Sequence, residues 1–223
     1  MNSSRALVLG DCRHPGDVRR DLVGRVVWWG IPSLGMSGRL PILEHEELQV
    51  YDALPHFSLR DQALLVLGLN TGFRIHELLS LTVGQVWEQG AVRPSVTITR
   101  ARLKGGRSAY RRAINSRTVP LNDRAKAYLR AYLSERAFSG FLHPADPLFL
   151  SRKHGLPLTR WQANRIVHAV LTAAGFADHS RYGTHTLRKT FCQKVYRATK
   201  RDINLTRAVS RARNPCTLDW FPA

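Results

Sequence analysis

Thr71-Gly72-Phe73-Arg74-Ile75-His76-Glu77-Leu78-Leu79 is the stretch on which the reading of this chain turns. A glycine turn opens a helix there, with an arginine in the first turn. A cation is out of place at that end, because the helix dipole favours negative charge at its N-terminus. A bound phosphate resolves the conflict, since free backbone N–H groups and a guanidinium fork both hold it. Glu77 follows three residues later, on the face that orients Arg74. An ordinary surface ion pair has the same spacing, so this stretch needs support from elsewhere in the chain.

Upstream, residues 63–69 carry the apolar run Ala63, Leu64, Leu65, Val66, Leu67 and Leu69, which predicts a buried helix. Ser58 and Asp61 resemble a capping box at its start, and Asn70-Thr71-Gly72 ends it. A helix over 42–54 precedes it, with Glu44, Glu46 and Glu47 where the dipole favours acids. Downstream, a short helix is expected over 74–81. Residues 96–99 and 117–121 read as strands on either side of a tight turn at Lys104-Gly105-Gly106. Together they predict a small antiparallel sheet of two or three strands.

Helices dominate the remainder. One is capped by Asn122 or Asp123 and runs to Ala137, and Pro144 and Pro147 then mark a loop. A second starts from Thr159 and is closed by Gly175. A third starts from Thr184 and covers 185–199, and a last short one begins at Asp202 and fades near Val209. The fold class expected is mainly α with a small antiparallel β-sheet, an α+β arrangement. Residues 1–40 read as an irregular N-terminal extension, either a flexible arm or upstream sequence ahead of Met36. Residues 41–209 read as one domain, and 210–223 as an irregular tail.

A second notable stretch is Gly183-Thr184-His185-Thr186-Leu187-Arg188-Lys189-Thr190-Phe191. His185 and Arg188, three apart, leave one helical face together near its start. Leu187 and Phe191, four apart, are expected to anchor the helix in the core. An imidazole beside a guanidinium handles a proton while the charge of a phosphoryl group is held. The same pattern fits a capped amphipathic helix with exposed cations. Lys104, at a hairpin tip, has the reach to protonate a leaving oxygen, and neighbouring cations would lower its pKa.

Charge points the same way. Thirty-four Lys and Arg oppose sixteen Asp and Glu, for a net charge of +18. A compact domain repels itself at such a charge unless an anionic partner offsets it, and nucleic acid is the usual one. Only six of the basic residues are lysines. Arginine suits bidentate phosphate binding, although GC-rich coding also enriches it. Three scattered cysteines, Cys12, Cys192 and Cys216, form no CxxC pair and suggest neither zinc nor a disulfide framework. No clustered carboxylates suggest a metal, and no cofactor motif is present. The apolar stretch 22–36 is broken by Arg25 and Pro32, so no membrane span is expected. A cytoplasmic, nucleoid-associated protein is the expectation.

Taken in order, Thr-Gly-x-Arg-x-x-Glu-Leu-Leu, a lysine turn between strands, and His-x-Leu-Arg-x-Thr-Phe resemble the tyrosine recombinase, or phage integrase, family. Arg117-Thr118-Val119-Pro120-Leu121 is similar to the strand that follows the family's lysine turn. The resemblance covers about residues 42–209 and implies a tyrosine recombinase catalytic-domain fold. It implies that Arg74 and Arg188 clamp the scissile phosphate of double-stranded DNA, with Glu77 in support. It further implies that His185 assists proton transfer and that Lys104 protonates the leaving 5′-hydroxyl. Neither metal nor cofactor is needed, because cationic side chains neutralise the transition state. Further copies of the chain, or related integrase protomers, are implied as partners on DNA. Two departures follow. Where the family carries Leu-Gly-His and then its nucleophilic tyrosine, this sequence reads Val209-Ser210-Arg211 and Leu218-Asp219-Trp220. No tyrosine follows Tyr196, and Tyr196 falls too early to match, so no nucleophile is found. A frameshift, a truncation or a degenerate remnant would each produce this. The chain is therefore expected to be a DNA-binding recombinase with impaired catalysis, or else a non-catalytic DNA-binding remnant or regulator.

Overall fold

A computed structural model describes residues 39–99, 116–140, 142–152, 155–176 and 180–210, all within a unit that begins at Arg39. Helix α1 (Glu44–Ala53) is followed by α2 (Leu59–Thr71), the axis of the molecule. Leu64, Leu65, Val66, Leu67 and Leu69 of α2 are all fully buried. A helix apolar all round needs neighbours on every side, and α4 and α6, described below, supply two of them. Ser58 caps α2, its hydroxyl accepting from the Asp61 N–H at 3.4 Å. Gly72 ends it at φ 60°, the left-handed conformation that favours glycine.

Helix α3 (Ile75–Leu78) is shorter than the expected 74–81. Arg74 stands at its N-cap instead of within its first turn. Two strand pairs follow. The first, β1 (Trp87–Glu88) with β2 (Ala91–Val92), is a hairpin that sequence reading did not foresee. Its loop, Gln89-Gly90, has positive φ at both residues (50° and 79°), the two-residue turn that matches strand twist. Gln-Gly is a weaker signal than Asn-Gly, and each strand has only two residues. The second pair, β3 (Ser95–Ile98) with β4 (Arg117–Pro120), is antiparallel as expected, and pairs Val96 with Val119 and Thr97 with Thr118. Val96, Ile98 and Val119 turn into the core. Lys104 and its turn lie outside the described residues.

Asn122 caps α4 (Asp123–Ser139), accepting from the Ala125 N–H at 2.9 Å. Thr159 and Gln162 form a reciprocal capping box for α5 (Arg160–Ala173). Gly175 closes α5 at φ 86°, and the Phe176 N–H returns to the Leu171 carbonyl. Helix α6 (Thr184–Ala198) starts one residue earlier than expected: Gly183 is its N-cap and Thr184 its first residue. The Thr186 hydroxyl accepts from the Gly183 N–H at 3.0 Å, the back-bond from the third helical position to the cap residue, and among the described residues no side chain takes the forward capping bond expected of Thr184. Lys200 and Arg201, both left-handed, turn the chain into α7 (Ile203–Ser210), whose start Asp202 caps. Helix α7 reaches Ser210, which had been assigned to the tail, while residues 211–223 lie outside the described residues. Arg39 and Leu40 are bonded to the carbonyls of Ser180 and Arg181, ahead of α6.

Candidate functional site

Two glycines four residues apart on α2 receive two side chains four residues apart on α6. A Cβ on Gly68 would stand 2.7 Å from Leu187 Cδ1, and one on Gly72 would stand 2.2 Å from Phe191 Cδ1. Real carbon atoms do not approach so closely, so these positions require glycine in this packing. The contact fixes the rotation of α6, and Arg188, next to Leu187, comes over the end of α2. Its guanidinium donates to the Gly72 carbonyl oxygen, one of the orphan acceptors at a helix C-terminus. The two arginines, 114 positions apart in sequence, thereby share one site, and the Arg74 charge is among the causes that lower the Arg188 pKa.

Arg74 is held by Glu77. The carboxylate is fully buried, accepts from the Arg74 backbone N–H at 2.8 Å, and pairs with its guanidinium at 3.0 Å. The Arg74 side chain keeps 29% of its surface exposed. Glu77 therefore aims the guanidinium and balances part of its charge without removing it from solvent. This is the orienting contact expected from the spacing.

His185 lies one turn before Arg188. Burial pushes its imidazole below the ordinary histidine range, and the positive charges of Arg188, Arg160, Arg74 and Lys189 push the same way. The ring is accordingly neutral near pH 7 and can accept a proton. Burial also lowers the Arg188 pKa, followed by the Arg74 charge, while Cys192 and Glu77 oppose the shift. Lys189 is lowered by burial and then by Arg181. Burial is the larger cause in all three, and the neighbouring positive charges act in the same direction.

The structure thus brings together Arg74, Glu77, His185 and Arg188. Lys104 lies outside the described residues. Sequence reasoning did not single out Arg160, Lys189 or Arg117 as site residues. Arg160 opens α5, a cation at the wrong end of a helix. That anomaly is the one that drew attention to Arg74, and the same test would have found Arg160. Arg117 was legible only as a strand start. In β4 it alternates with Thr118 on the face shared with Val119, and a charged residue on the buried face of a strand is the signal that was available. Among the described residues, no group of three or more His, Cys, Asp or Glu could hold a metal, and no helix is long and apolar enough to cross a membrane.

The fold is largely helical with small antiparallel strand pairs, and it sets two arginines and a histidine around the end of α2. The model of the phage integrase family matches residues 42–204, and the chain belongs to that family. It is 26% identical over 182 residues to the probable integrase/recombinase YoeC of Bacillus subtilis, covering 81% of this chain and 88% of that one. The fold is similar to the XerA recombinase crystal structure, with a TM-score of 0.63 and 21% identity over 83% of this chain. It is also similar to the XerH recombinase bound to its difH substrate in a pre-cleavage complex, with a TM-score of 0.58 and 24% identity over 80% of this chain. The chain spans only 59% and 49% of the length of those two solved proteins.

Proposed function

We propose that this chain binds double-stranded DNA as a site-specific recombinase-type protein, with Arg74, His185 and Arg188 around one phosphodiester and with strand cleavage impaired. The observation that carries the reading is geometric: Arg188 donates to the Gly72 carbonyl, two residues from the Glu77-held Arg74, and His185 lies one turn before Arg188 on α6. A phosphodiester adds negative charge beside these groups, and guanidinium forks bind its non-bridging oxygens. The charge grows as phosphorus becomes pentacovalent, so cations fixed in place stabilise the transition state more than the ground state. His185, being neutral, is suited to accept a proton. Lys104, by family resemblance, is the candidate donor to the leaving 5′-oxygen. XerH in complex with its difH substrate is consistent with a DNA partner, and further protomers on the same DNA are part of the proposal. A cytoplasmic location follows from such a partner, with residues 41–209 as the DNA-binding catalytic-type domain.

Impairment rests on the sequence. Where the resemblance places the nucleophilic tyrosine, the sequence reads Leu218-Asp219-Trp220, and tryptophan has no nucleophilic oxygen. A nicked suicide duplex, which traps any covalent adduct, tests this. The expected result is a reversible, salt-sensitive mobility shift with no covalent species on a denaturing gel. A protein–DNA adduct from the purified chain would show that another residue attacks phosphorus. Adding a relative that has its tyrosine but a defective arginine site asks whether the nucleophile can come from a neighbouring protomer.

A further inference from the structure

Arg117 opens β4, and only 3% of it is exposed. Burying a guanidinium is costly unless its donors find acceptors. Here two helix ends supply acceptors for its two terminal nitrogens. Arg117 donates to the Thr71 carbonyl at 2.8 Å and the Gly72 carbonyl at 3.3 Å, at the end of α2. It also donates to the Val209 carbonyl at 3.4 Å, in the last turn of α7. Its guanidinium carbon lies 5.0 Å from the centre of the Phe73 ring. Helix C-termini leave carbonyls unpaired and carry the negative end of the dipole, which accounts for a buried cation between them.

The Gly72 carbonyl joins this arginine to the site. Arg188 donates to the same oxygen from α6. A carbonyl oxygen has two lone pairs and can accept both. One oxygen is therefore held from β4 and from α6 by two guanidiniums. At 3% exposure Arg117 is too deeply set to clamp a phosphate itself, so any influence on DNA passes through Gly72.

We propose that Arg117 is a positioning residue, which fixes the Gly72 carbonyl on which Arg188 rests and pins the end of α7 to the same point. The proposal rests on the phosphate-clamp reading of Arg74, His185 and Arg188. Without the fork of Arg117, the α2 end and the Arg188 side chain gain freedom, and the distance between Arg188 and His185 is no longer fixed.

The test follows the His185 titration by NMR in the full chain, together with affinity for a duplex oligonucleotide. R117K keeps the charge but loses the bidentate fork, so a change in His185 reports position and not lost charge. R136M is the control, because Arg136 is likewise a carbonyl-tying arginine, bonded to Pro147 and Leu148 and placed over Tyr132. The charges acting on His185 are those of Arg188, Arg160, Arg74 and Lys189, so R188M should raise its midpoint directly. R117K should raise it by a smaller amount and weaken duplex binding about threefold, less than loss of a direct charged hydrogen bond. R136M should lower thermal stability and leave both readouts unchanged. If R117K lowers thermal stability but leaves both the His185 midpoint and the affinity at wild-type values, Arg117 is a core tie and the proposal fails. If R188M itself changes neither readout, the phosphate clamp is wrong, whatever Arg117 does.

Discussion

The two ends of α6 carry cations of two kinds. Near its C-terminus, Lys194 pairs with Glu47 at 2.8 Å and Arg197 with Glu44 at 2.9 Å, both acids belonging to α1. Near its N-terminus, burial first and then neighbouring cations lower the pKa of His185, Arg188 and Lys189. The far end is neutralised within the fold and serves to dock α6 on α1. Under the proposed function, an external phosphate would bind at the near end. A single helix thus carries cations paired with α1 acids at one end and cations set beside other cations at the other, and each end can be altered separately.

The largest effect is expected where both halves depend on one contact. Gly72→Ala places a methyl group 2.2 Å from Phe191 Cδ1 on a backbone at φ 60°. Overpacking and a non-glycine residue in the left-handed region together should cost about 2–4 kcal/mol of folding stability. Chemical denaturation reads this directly. Because α6 can yield only by moving away from α2, duplex affinity should fall as well. Wild-type stability in this variant would mean that the Gly72–Phe191 contact does not fix the helix.

Arg188→Met attacks the N-terminal end alone. Charge-assisted hydrogen bonds to phosphate contribute about 1.5–3 kcal/mol each, so affinity should fall by roughly ten- to a hundredfold. The slope of log affinity against log salt should also become shallower by about one. Fluorescence anisotropy at several salt concentrations measures both quantities. An unchanged slope would remove Arg188 from contact with the backbone of DNA.

Protonation gives a smaller signal whose sign is fixed. His185 has a folded-state pKa below its unfolded value, because burial and nearby cations oppose its charge. In the window beneath the unfolded value near 6.5, the unfolded chain binds more protons, so stability falls as pH falls and levels off below the folded pKa. A bound phosphate counters the neighbouring cations and raises the same pKa, so DNA binding takes up a proton. Affinity should therefore tighten as pH drops through that window. H185Q should flatten both profiles. Calorimetric titrations in buffers of different ionisation enthalpy detect the proton uptake, and an uptake undiminished in H185Q would assign it to another group.

The sequence was most legible where a rule was broken or a period was long. The all-apolar run in α2, the cap residues Ser58, Asn122 and Thr159, and the αL stop at Gly72 all rest on local chemistry, and each is found in the fold. Arg74 attracted notice because a cation sat at a helix start, and Glu77 because of its spacing. The β1–β2 hairpin was missed because two-residue strands have no period to read. The notch at Gly68 and Gly72 was missed because it exists only when α6 lies against α2. Arg117 was missed for the same reason: its acceptors, at residues 71, 72 and 209, come together only on folding. Local signals thus pointed to Arg74, Glu77, His185 and Arg188, whereas the contacts that pack around them depend on tertiary neighbours.

Lys194→Met addresses the C-terminal end and should have the smallest effect. The Lys194 side chain is 36% exposed and that of Glu47 is 12% exposed, so the ion pair is partly screened by solvent. Partly exposed pairs contribute about 0.2–1 kcal/mol, and Lys194 also donates to Asn70 Oδ1 at 3.4 Å, a weak bond. Stability should fall by less than about 1 kcal/mol. Duplex affinity and its salt slope should remain within about twofold of wild type, because a cation already matched by Glu47 releases few counterions from DNA. This small effect decides the comparison. If Lys194→Met reduced the salt slope as much as Arg188→Met does, pairing within the fold would not distinguish the two ends of α6, and the whole helix would have to be read as one DNA-facing surface.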